Sequence, residues 1–145
     1  MNMESFMKMR KFSLNKLWRD KAPENHEKSG SIIHVTILDD VQYRKALGLK
    51  LIEEAHEVAT ATSQDDLISE LADIREVTDC IMKLHNISLA DVTKRQEKKR
   101  HERGSFLERK FVTIAEYQPG SFGEKYALND LARHPEIFDG DEPSK

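Results

Sequence analysis

Apolar positions recur at helical spacing in two long stretches of this chain. From about Asp40 to Ala59, Val41, Leu47, Leu51, Ile52, Ala55, Val58 and Ala59 share one face, which predicts an amphipathic helix. Asp39 and Gln42 offer capping-box spacing at its start. Gly48 is its weak point, costing roughly 1 kcal/mol against alanine. From about Asp65 to His85, Leu67, Leu71, Ile74, Val77, Ile81 and Leu84 make a second stripe, with Ser63 and Asp66 repeating the capping pattern. The turn from Thr60 to Gln64 is short enough to make the two helices antiparallel neighbours. Asn86-Ile87 breaks the second helix. Ser88 and Asp91 cap a third, which runs to about Arg103 and stops at Gly104.

The pattern weakens on either side. Residues 1–13 hold four of the five methionines without a clear period and read as a flexible arm. Pro23 suits the first turn of a short helix reaching Lys28, while discouraging helix at Ala22. The β-branched run Ile32 to Leu38 reads as a strand, or as an extended segment lying on the helices. Phe106 to Ile114 reads as a further extended piece. Beyond Ala115, Pro119-Gly120 is a turn, Leu128 to Phe138 is one loose helical turn, and Asp139 to Lys145 is disordered in composition. The expected architecture is therefore all-α: an antiparallel helical bundle with a short N-terminal extended segment. A domain over 14–112 follows the arm, and a partly disordered extension occupies 113–145.

Composition narrows the class. The chain has 145 residues, 38% hydrophobic and 34% charged, which fits one small domain with a modest core. A net charge of −3 means that any anion site is local. The single cysteine, Cys80, allows no internal disulfide. No apolar run reaches spanning length and the N-terminus lacks a signal-peptide core. The expected location is cytoplasmic, with no membrane partner.

Candidate chemistry starts with carboxylates. Glu54 and Glu57 lie on one predicted helix and Glu70 and Asp73 on the next, each pair at a spacing that shares a face. Any one of them is, by default, an ordinary solvated glutamate or aspartate. Four converging on an antiparallel pair repel each other unless a hard, oxygen-preferring cation such as Mg²⁺ sits among them. Glu53 reads as a ligand, a supporting partner, or a surface residue paired with Lys50. Glu76 and Asp79 read as surface, with Arg75 pairing Asp79.

The run Lys94 to Phe106 is rich in Lys and Arg. Its bland reading is a solvated helix face; its functional reading is a phosphate clamp carried by Lys98, Arg100 and Arg103. Interspersed acids and the lack of interleaved aromatics disfavour nucleic acid. Arg19-Asp20-Lys21 before Pro23 reads as an ion-pair cluster at a helix start. His56 reads as a polar filler or a surface residue beside the acids, and Cys80 as a small buried residue. The other histidines show no ligand spacing. No Walker A or GxGxxG sequence is present.

Three motifs in order carry a family resemblance. Glu54-x-x-Glu57, twelve residues, then Glu70-x-x-Asp73 resembles the metal-binding signature of the all-α nucleoside triphosphate pyrophosphohydrolases. Lys16-Leu17-Trp18-Arg19-Asp20-Lys21-Ala22-Pro23 resembles the KLVRDKIPE opening of a MazG-like, phosphoribosyl-ATP-pyrophosphohydrolase-like group. Lys98 to Phe106 resembles that group's KRxxRGxF close. Ala22, Asn25 and His26 depart from the usual aliphatics, and residues 115–145 lie beyond the pattern.

The resemblance implies a helical core and hydrolysis between the α and β phosphates of a nucleotide, yielding a nucleoside monophosphate and pyrophosphate. It implies Mg²⁺, with Mn²⁺ as the alternative, at Glu53, Glu54, Glu57, Glu70 and Asp73. Arg19, Lys21, Lys98, Arg100 and Arg103 would hold phosphates. It also implies a homo-oligomer, dimer or tetramer, and a house-cleaning role on non-canonical nucleotides. The alternatives are phosphoribosyl-ATP hydrolysis and a non-catalytic helical module that binds protein or nucleic acid.

Overall fold

A computed structural model describes residues 8–141. Among the described residues the fold is all-α, with five helices: α1 (Ala22–Glu27), α2 (Asp40–Thr60), α3 (Gln64–Leu84), α4 (Leu89–Arg103) and α5 (Phe122–Leu128). Among the described residues there is no strand. The chain divides into two compact units, Met1–Arg103 and Gly104–Lys145. That division falls inside the span read above as one domain. Gly104, at φ +79°, stops α4 there, in a conformation open to glycine at little steric cost.

The first unit is organised by the α2–α3 hairpin. Asp39 closes a capping box with Gln42, its carboxylate accepting from the Gln42 N–H at 2.8 Å. Ser63 caps α3 by accepting from the Asp66 N–H. Only three residues separate the two helices, which leaves an antiparallel return as the packing solution. α3 ends where Asn86 turns left-handed at φ +53°. The Ile87 N–H then reaches the Met82 carbonyl and the Asn86 N–H the Lys83 carbonyl, a Schellman closure. The seam buries Leu47 and Val77, the most enclosed apolar residues of the described chain.

The apolar stripes are wider than one partner helix can cover. Val41, Ile52, Leu67 and Leu71, expected in the core, stay exposed, while Ile74, Ile81 and Leu84 are half-buried. α4 is exposed along its whole length.

The segment ahead of α2 corrects part of the reading. Residues 31–39 form no strand but an irregular run; a lone β-branched segment has no neighbouring strand to pair with. Ala22 begins α1 despite the proline after it, because proline in a first turn forfeits no helical hydrogen bond.

In the second unit, residues 106–114 are irregular rather than an extended element, with a turn closed by the Arg109 N–H on the Phe106 carbonyl. The helix lies at Phe122–Leu128, ahead of the expected 128–138 turn. Its signal is a cap in the sequence: Ser121 accepts from the Glu124 N–H, and Glu124 accepts from the Gly120 N–H. The expected disorder of 142–145 and the arm over 1–7 lie outside the described residues. Residues 8–13 are irregular and exposed. Among the described residues no helix is long and apolar enough to cross a membrane.

Candidate functional site

The α2–α3 seam that buries Leu47 and Val77 turns polar further toward the loop. Glu54 comes from α2, Glu70 and Asp73 from α3, and one carboxylate oxygen from each lies within 4.8 Å of the others. Glu54 faces Glu70 and Tyr43 faces Cys80, the descending order of an antiparallel pair. Glu54 is buried, 6% exposed; Glu70 and Asp73 are half-buried. Three hard oxygen donors in one compact group suit Mg²⁺ or Mn²⁺ better than a soft metal.

Electrostatics mark the strain of this arrangement. Burial first, then a hydrogen bond and like charge from Glu54, then Asp73 and Glu57, push the Glu70 carboxyl above its ordinary value. Glu57 is exposed and outside the compact triad, yet its charge reaches Glu70.

Three cations pair with acids of this region, Lys50 and Arg19 with members of the triad and Lys16 with neighbouring Glu53. Lys50 Nζ lies 3.0 Å from Glu54 Oε1 and 3.3 Å from Glu53 Oε2. Burial works to lower the Lys50 ammonium, but hydrogen bonds and charge from Glu54 and Glu53 outweigh it and the net shift is upward. Lys16 Nζ donates to Glu53 Oε1 at 2.8 Å. That bond chiefly holds the Glu53 carboxyl below its usual range, against burial and with help from Lys50. Arg19 donates to Asp73 Oδ1 at 2.5 Å. The hydrogen bond to Asp73 leads the causes that raise its guanidinium, offset in part by burial, with Glu76 and Glu54 adding attraction.

The residues ahead of α1 reach the site by lying along α2. Asn15, Lys16 and Leu17 form one wall of a shallow groove, and Ala46, Leu49 and Lys50 the other. Asn15 turns the chain at φ +46° and its amide donates to Ser13. Trp18 follows, half-buried, its ring 5.1 Å from that of His26.

Other expected residues stand apart. Glu53 is engaged by lysines and lies outside the triad. Lys21 is exposed and makes no ion pair among the described residues. Lys98, Arg100 and Arg103 are exposed on α4. Lys98 pairs with Glu102 at 3.8 Å, and none of the three bonds to the acidic group among the described residues. Arg75 and Asp79 form no ion pair there either; Asp79 is half-buried beside the seam. His56 is exposed and Cys80 half-buried. Lys16 is the site residue that spacing missed. Its partner lies 37 residues away, and only its place in the basic motif hinted at it.

Scans against protein-family models, curated proteins and solved structures found no match to this chain.

Proposed function

We propose that this chain is a Mg²⁺-dependent nucleotide pyrophosphohydrolase of MazG-like type, cleaving a nucleoside triphosphate to a monophosphate and pyrophosphate. The observation that carries the reading is the meeting of Glu54, Glu70 and Asp73 oxygens within 4.8 Å across two helices. These three would hold the ion, with Glu57 and Glu53 at its edge. Bound there, Mg²⁺ would neutralise phosphate oxygens and lower the pKa of a water. Arg19 and Lys16, already at the site, are the cations best placed to meet phosphate charge. The uncovered apolar residues Val41, Leu49, Ile52 and Ile68 support a second copy packing on the hairpin.

The test is pyrophosphate release from a nucleoside triphosphate panel that includes phosphoribosyl-ATP, with and without Mg²⁺. Asp73→Asn should abolish release while leaving helical circular dichroism intact. Full release by that variant would overturn the assignment. Turnover confined to phosphoribosyl-ATP would place the activity in the alternative branch.

The wholly exposed, cation-rich α4 favours one second reading, a non-catalytic module that binds nucleic acid. That reading requires steeply salt-dependent RNA or DNA binding and no Mg²⁺-dependent turnover.

A further inference from the structure

Two cations pair with members of the acidic triad, and they are held in different ways. Lys50 sits on the same helix as its partners, one turn away, with its side chain 21% exposed. It cannot leave without abandoning buried Glu54. Arg19 comes from a separate segment, crosses 54 residues of sequence to reach Asp73, and keeps its side chain 61% exposed. An ion pair so exposed is weakly held and exchanges readily. Asp73 is also one of the three carboxylates whose oxygens converge. Its Oδ1 is occupied by the guanidinium, and a divalent ion brought onto the same carboxylate meets like charge.

We propose that Arg19 is the resident counter-cation of Asp73, and that a divalent cation enters the acidic group by exchange with it. The proposal rests on the reading of Glu54, Glu70 and Asp73 as a divalent-cation site, and describes how that site is kept and opened. In the metal-free state Arg19 and Lys50 reduce the repulsion among the carboxylates, and Arg19 with Lys16 draws the segment ahead of α1 onto the hairpin. When the ion binds, the Arg19 tether is released and Lys50 stays. The adjacent Trp18 is the only tryptophan of the chain, so it reports the release directly.

The full-length chain is titrated with Mg²⁺ alone, followed by calorimetry and by Trp18 fluorescence, for the natural sequence, Arg19→Gln and Arg19→Lys. Arg19→Gln is expected to bind Mg²⁺ about two- to fivefold tighter, since the competing charge is gone. Its Trp18 emission should start near the Mg²⁺-bound value of the natural chain and change little. Arg19→Lys keeps the charge and should retain most of the natural affinity; it also tests exchange should Arg19→Gln fold poorly. If Arg19 instead supports Asp73 as a ligand, Arg19→Gln binds Mg²⁺ more weakly, and the proposal is overturned. Equal affinity in all three with an unmoved Trp18 overturns it as well, leaving the cation site standing. Absence of Mg²⁺ binding by any form overturns the cation site and this proposal together.

Discussion

Arg19 Nη2 lies 2.5 Å from Asp73 Oδ1, tying the segment ahead of α1 to the middle of α3 across 54 residues. Their side chains are 61% and 33% exposed, so solvent screens the attraction. A double-mutant cycle on metal-free protein with Arg19→Gln and Asp73→Asn should give a coupling of about 0.2–1 kcal/mol. The coupling should shrink as salt rises toward 1 M, where screening acts over about 3 Å. Urea midpoints of the four forms supply the measurement.

Lys50 and Glu54 should behave differently, because Glu54 is buried. Replacing Lys50 by Met leaves that carboxylate enclosed without its cation. The expected loss is roughly 3 kcal/mol, the low end for breaking a buried pair. Adding Mg²⁺ should restore part of it, since the ion supplies the missing positive charge. A thermal melt with and without Mg²⁺ distinguishes this from a plain packing defect, which the ion would not repair.

The pH dependence follows from two opposite shifts. Glu53 is held below its ordinary 4.5, chiefly by Lys16. Its contribution to stability is therefore present above about 4.5 and lost as pH falls through the folded value. Glu70 is raised, by burial first and then by Glu54, so its contribution is present below 4.5 and lost as pH rises. In metal-free protein, Lys16→Met should lessen the stability gained between about pH 3 and pH 7, and Glu70→Gln should enlarge it. Denaturant midpoints across that range, with the slopes compared, would show the reverse order if these shifts were assigned with the wrong sign.

Glycine supplies a contrast between the two units. A Cβ at Gly48 would meet nothing, so Gly48→Ala should stabilise the protein by about 0.5–1 kcal/mol through helix propensity alone. A Cβ at Gly123 would collide with the Tyr117 ring. Gly123→Ala should push that ring off α5, seen as a change in tyrosine fluorescence and a lower melting temperature despite the better helix former.

Periodicity and caps gave the helices away because both are local. The stripes containing Leu47 and Val77, with caps at Asp39 and Ser63, specify two helices and a short turn whatever surrounds them. Ser121 with Glu124 was equally legible, but its helix is too short to show a period. The acidic spacing likewise says that Glu54 and Glu57 share a face, and Glu70 and Asp73 another. It does not say which face meets the seam. The mutual rotation of the packed helices brings Glu54 inward and leaves Glu57 outside, and leaves Val41 and Ile52 exposed beside a buried Leu47. No spacing encodes Lys16 on Glu53 or Arg19 on Asp73, since those contacts depend on the path of an irregular segment over α2. Tertiary packing thus brought three of the five candidate carboxylates together and gave cations to Glu54 and Asp73, because charge acts through distance in space, whereas the sequence pattern records only neighbours along the chain.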